Sequence, residues 1–107
     1  MSWAYLVLAG LFEIGFASSL KLTEGFTKLW PTVIFAVCLL LGFIFLEKSL
    51  KDIPIGTAYA VWTGIGAAGT AFVGIIVYKE PATALRLFFL ATLVGSIIGL
   101  KYATPTQ

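Results

Sequence analysis

Four long apolar runs divide the chain: Trp3 to Leu20, Trp30 to Leu46, Ile53 to Tyr78 and Pro81 to Leu100. Apart from Glu13 and Arg86, the charged side chains fall between these runs or beyond the last of them. Each run is near the roughly 17 to 25 apolar residues that a helix needs to cross a hydrocarbon core about 30 Å thick. None alternates between apolar and polar positions as a lipid-facing barrel strand would, so the pattern predicts four transmembrane helices. Pro31, Pro54 and Pro81 stand at run starts, where a missing amide proton costs little and the fixed φ suits a first helical turn. The connections are short, which makes consecutive helices antiparallel neighbours and returns both termini to one side of the membrane. The expected fold is a single all-α transmembrane domain over residues 1–107, with helices about 3–20, 30–46, 53–78 and 81–100.

Composition agrees with lipid as the main solvent. Of 107 residues, 60% are hydrophobic, 15% aromatic and 11% charged, whereas a soluble domain carries about 25% charged residues. The net charge of +2 is small and its basic residues are scattered, which speaks against nucleic acid as a partner. Cys38 is alone and histidine is absent, so neither a disulfide framework nor a metal site or cofactor is expected. A Gly-x-Gly-x-x-Gly string at Gly64, Gly66 and Gly69 lies inside a spanning run, without the strand and turn that a nucleotide site requires. No nucleophile has a base beside it, and an enzyme reading finds no support. The first run lacks a basic leader and contains Glu13, so it reads as a mature helix, with the mature chain expected to begin at Met1.

Glu13 is the residue that the lipid environment makes costly. From Trp3 a helix rises about 15 Å to reach it, which puts the carboxyl near the bilayer midplane. Intramembrane acids generally face a bundle interior or cavity and mark proton or ion paths. One helical turn away are Ala9, Gly10, Phe16 and Ala17, of which the small Ala9, Gly10 and Ala17 let the face either pack closely or leave room for a ligand. The plainer alternative is a structural carboxyl held neutral by hydrogen bonds. On the third helix Tyr59, Trp62, Thr63 and Gly66 share a face; aromatic rings attract cations by about 0.5 to 2 kcal/mol, and a tyrosine hydroxyl orients a carboxylate. An acid with aromatic walls suits an organic cation, although single membrane aromatics more often serve packing or interfacial anchoring.

Gly64, Gly66, Gly69 and Gly74 crowd the same helix, as a hinge or as a close-packing surface. Gly95 and Gly99 form a small-xxx-small spacing and are the expected dimer contact. Arg86 and Lys101 lie where long cations snorkel to the interface, and Trp3 and Trp30 fit an aromatic belt. Lys48, Lys51 and Lys101 on the side of the N-terminus oppose Lys21, Lys28, Lys79 and Arg86 on the other, three against four. So weak a bias leaves two readings open: insertion in both orientations, or one orientation chosen by lipid and insertion machinery. One copy has too few helices to enclose a large pathway, so transport requires an oligomer, and a second, inverted copy would supply the other half.

The stretches AGLFE (9–13), EGFTKLWP (24–31), IPIGTAYAVWTGIG (53–66) and GLK (99–101) resemble the small multidrug resistance transporters, and within them the guanidinium-exporter branch. The resemblance covers essentially the whole chain. It implies a four-helix protomer in the bacterial inner membrane, an antiparallel dual-topology homodimer, and proton-coupled export of cationic compounds, guanidinium-type or quaternary ammonium. It implies also that Glu13 of both subunits binds protons and substrate in competition, with Tyr59 and Trp62 lining the site; Gly10 and Thr63, on the same two helix faces, are expected to line it as well. Phe16 and Gly42 stand where guanidinium-selective relatives usually have tryptophan and serine, which loosens ligand orientation and opens the site to bulkier, more apolar cations. Some relatives work as heterodimeric pairs. The remaining alternatives are a small non-transporting membrane subunit, in which Glu13 pairs with a partner's basic residue, and a passive cation channel.

Overall fold

A computed structural model describes residues 2–104; Met1, the expected first residue of the mature chain, lies outside them, as do residues 105–107. Four helices follow one another: α1 (Ser2–Leu20), α2 (Leu29–Ser49), α3 (Ile55–Ile76) and α4 (Ala84–Ala103). All four are long and apolar enough to cross a membrane, and the chain is an all-α integral membrane protein.

Local chemistry sets where each helix stops. α1 runs into a 3₁₀ turn, Lys21–Thr23, in which the Thr23 hydroxyl donates to the Leu20 carbonyl at 2.7 Å and accepts from the Phe26 amide at 3.3 Å. Glu24, Gly25 and Phe26 then adopt left-handed φ angles of 47°, 75° and 66°, which turn the chain sharply into α2. At the far end of α2 the Ser49 hydroxyl donates to the Leu46 carbonyl at 2.6 Å. Pro54 directly precedes α3 and its carbonyl accepts from the Ala58 amide.

Apart from the end of α1, the boundaries differ by one to three residues from those read in the sequence: α2 runs to Ser49 rather than Leu46, α3 begins at Ile55 rather than Ile53, and α4 ends at Ala103 rather than Leu100. α3 ends at Ile76 rather than Tyr78; the amides of Tyr78 and Glu80 both turn back to the Gly74 carbonyl, and Lys79 takes a left-handed φ of 57°. α4 begins at Ala84 rather than Pro81, because Thr83 caps it by accepting from the Arg86 amide at 3.1 Å. Arg86 is held locally as well: it donates to Glu80 at 2.8 Å and to the Pro81 carbonyl at 2.9 Å, so it fastens the α3–α4 connection.

α1 is the central helix and packs on both α2 and α3. Against α2 it runs antiparallel, with Tyr5 and Phe12 stacked on Phe45 and Phe16 edge-on to Phe35. With α3 it runs parallel: Ser2 donates to Asp52, ahead of α3, at 2.6 Å, Trp62 reaches Ala9, and the Tyr78 hydroxyl reaches the Ser18 carbonyl. The buried apolar core, Leu6, Ala9, Ile53, Ala58, Val61 and Trp62, sits in the first half of this α1–α3 pair. α4 packs on α3 alone and buries none of its residues. Its last turn returns beside the start of α1, where the Lys101 ammonium lies 5.6 Å from the Trp3 ring centre.

Candidate functional site

Small residues bring α1 and α3 into close approach, and Glu13 lies in that approach. A methyl group added at Gly66 would fall on the Glu13 carboxyl, one at Gly69 would fall on Ile14, and one at Gly10 would come within 2.6 Å of the Ile65 side chain. The acid therefore rests directly on the α3 backbone. Its Oε1 is buried without a hydrogen-bond partner among the described residues. An unpaired buried acceptor is costly, and costlier still when charged. Ionisable groups within a membrane generally pair with another polar group or mark a substrate, ion or proton path.

The aromatic residues form a wall next to it. Trp62 is only 6% exposed and its indole N–H donates to the Ala9 carbonyl at 3.1 Å, one helical turn before Glu13. That bond fixes the plane of the indole and uses its only donor, so the ring offers its face and not its N–H. Tyr59, one turn earlier and 59% exposed, lies 5.7 Å from Trp62 between ring centres. Phe43 of α2 completes the group at 5.4 Å from Trp62. The sequence reading missed Phe43, since one phenylalanine in a continuously apolar helix carries no signal; its contact with Trp62 is tertiary.

The other sequence-selected positions are distributed as follows. Gly42 is buried, and a methyl group there would meet Phe12 Cβ at 3.4 Å and the Ala9 carbonyl at 3.6 Å. Gly10 is covered by Ile65. Phe16 is half-buried and turned to α2, where it meets Phe35 edge-on at 5.7 Å. Thr63 is exposed. Gly64 packs under Ile97 of α4, and with Gly66 and Gly69 it lies inside an uninterrupted helix. Gly95 and Gly99 are remote from Glu13 in sequence and on the open face of α4, with nothing within 4 Å of an added methyl.

No group of three or more metal-ligating side chains occurs among the described residues. A hollow of about 530 Å³ lies against Tyr5, Glu47, Lys48 and Lys51, and an apolar groove of about 250 Å³ runs between Trp3, Val61, Ile97 and Lys101; neither is lined by Glu13. The protomer thus presents an acid, a fixed indole and two further rings.

A family model described as Small Multidrug Resistance protein matches residues 1–93. The guanidinium exporter of Escherichia coli (strain K12) is 49% identical over 104 residues, 97% of this chain and 99% of its own length. That of Proteus vulgaris is 51% identical over 104 residues, 97% of this chain and all of its own. That of Salmonella typhimurium is 46% identical over the same span of 104 residues.

Proposed function

The chain belongs to the small multidrug resistance family, a small-cation efflux transporter of the bacterial inner membrane and not an enzyme, and on that premise we propose that it exchanges protons for small organic cations at Glu13. The observation that carries this reading is the Glu13 carboxyl, buried at Oε1 without a partner and standing one turn from the fixed indole of Trp62. A cation satisfies the carboxylate and lies against aromatic faces, an attraction that grows where water is excluded. A proton on the same carboxyl removes that attraction and releases the cation. One group serving two ligands in competition is sufficient for obligatory exchange, provided that access alternates between the two sides.

A guanidinium ion suits this chemistry particularly well, because it is planar, pairs with a carboxylate through two parallel hydrogen bonds and stacks on rings. The relatives named as guanidinium exporters support that class as a substrate. Phe16 and Gly42 place no hydrogen-bonding side chain near the acid, so alkylated guanidines and quaternary ammonium ions are accepted as well.

Two copies form the working unit in this reading. An antiparallel homodimer, joined along α4 through Gly95 and Gly99, sets two Glu13 carboxyls about one cavity and couples their titrations. Tilting of α3 about Gly64, Gly66 and Gly69 changes which side the cavity faces. A paired chain in place of the second copy would meet the same open α4 face.

The test is Glu13→Gln in proteoliposomes. Proton-driven guanidinium uptake is abolished while the dimer persists by crosslinking; coupled uptake in the variant would sink the assignment. Solid-supported-membrane currents across guanidinium, alkylated guanidines and quaternary ammonium compounds rank the substrates.

A further inference from the structure

Two hydroxyls share the condition of the Glu13 acid. Ser18 Oγ and Thr70 Oγ1 are buried without hydrogen-bond partners, and together with Glu13 Oε1 they are the side-chain atoms so placed among the described residues. Other helical hydroxyls bond locally: Ser19 to Phe16, Thr32 to Lys28, Ser49 to Leu46 and Thr92 to Phe89, each to a backbone carbonyl three or four residues back. That local bond is the default for serine and threonine in helices. Ser18 and Thr70 forgo it while buried, so their hydroxyls are free for another occupant.

By helical spacing all three residues fall along the α1–α3 seam. Thr70 lies one turn past Gly66, on which the Glu13 carboxyl rests, and Ser18 lies one turn past Ile14, which rests on Gly69. Ser18 is about 7.5 Å beyond Glu13 by helical rise. The seam ends at a polar rim: the Tyr78 hydroxyl donates to the Ser18 carbonyl at 2.8 Å, and the exposed Lys21 ammonium stands 4.8 Å from the Tyr78 ring centre. A buried water takes two to four hydrogen bonds from groups otherwise left unsatisfied. Three such groups along one seam fit that requirement.

We propose that Ser18 and Thr70 hold a short file of water that connects Glu13 with the Lys21–Tyr78 end of the bundle and carries the proton of the exchange cycle. The proton leaves the Glu13 carboxyl for the adjacent water; each water and hydroxyl accepts one proton and passes another onward, so the hydroxyls end unchanged and one proton reaches the rim. The cation takes the aromatic side, past Tyr59 and Phe43. The inference rests on the proton-exchange reading above.

The test compares two fluxes in proteoliposomes: proton-driven guanidinium uptake, and guanidinium-for-guanidinium counterflow, which needs no net proton movement. Thr70→Val keeps shape and removes the hydroxyl, Ser18→Ala removes the other, Thr70→Ser restores a hydroxyl, and Thr32→Ala is a control outside the seam. The expected result is proton-driven uptake slowed fivefold or more in Thr70→Val and Ser18→Ala, counterflow changed less than twofold, and recovery in Thr70→Ser. Equal loss of both fluxes makes the hydroxyls merely structural and overturns the proposal, as does unchanged proton-driven uptake. Wild-type protein that shows counterflow but no proton-driven uptake overturns the underlying exchange reading and this proposal with it, and is distinguished by needing no variant.

Discussion

The Glu13 carboxyl and a side chain at position 66 cannot share their space. Gly66→Ala forces the acid or α3 to move, and overpacking of this kind costs about 1 to 3 kcal/mol. The expected outcome is a lower melting temperature in detergent and an apparent guanidinium affinity weakened about tenfold, a size that corresponds to roughly 1.4 kcal/mol. Gly42→Ser contrasts with it. The methyl position at Gly42 is in ordinary contact range of Phe12 and the Ala9 carbonyl, so the serine is accommodated and brings a hydroxyl beside the carbonyl that orients Trp62. Guanidinium uptake should gain relative to quaternary ammonium uptake in that variant, measured as a ratio of initial rates. At this scale the acid was legible in the sequence, because a carboxylate in an apolar run violates the solvent that surrounds it. Ser18, Thr70 and Phe43 were not legible: what distinguishes the two hydroxyls is a local bond not made, and what distinguishes Phe43 is a contact across helices.

Among the elements, α4 has the simplest packing and the most exposed surface. It leans on α3 through Leu93 and Ile97, which cover Gly64, and leaves Gly95 and Gly99 open. Gly95→Leu or Gly99→Leu therefore meets nothing within the chain, and each should abolish the proposed dimer in crosslinking and size-exclusion measurements while helical content by circular dichroism is unchanged. The existence of all four helices was readable in the sequence, since lipid demands long continuous apolar runs. Their ends were less so. The α4 start depends on Thr83 outcompeting Pro81 as the first-turn signal, and the Arg86 bonds to Glu80 and the Pro81 carbonyl involve a chain reversal that periodicity does not encode. The run of glycines in α3 read as a hinge or as a packing surface; each of Gly64, Gly66 and Gly69 receives a neighbouring side chain in the structure, which accounts for their size.

For the whole molecule, the basic residues are nearly balanced between the two ends of the bundle, three against four. Orientation responds to such counts in short loops. Adding two lysines to the α1–α2 connection, as in Thr27→Lys with Leu22→Lys, should fix one orientation, seen by accessibility of a cysteine placed in that loop. With an antiparallel dimer exporting guanidinium, as proposed, guanidinium resistance of cells should fall when this variant is expressed alone and return when it is expressed with a variant carrying added lysines in the α2–α3 connection. The seat of Glu13 on bare backbone has a further consequence, for the way this transporter can change under selection by new toxic compounds. A side chain at position 66 displaces either the acid or the backbone it rests on, so substitution there is costly while the acid remains. Tyr59, Phe43 and Phe16 have no such lock. Substitutions in these walls are therefore the expected route to new cargoes, with the acid left in place.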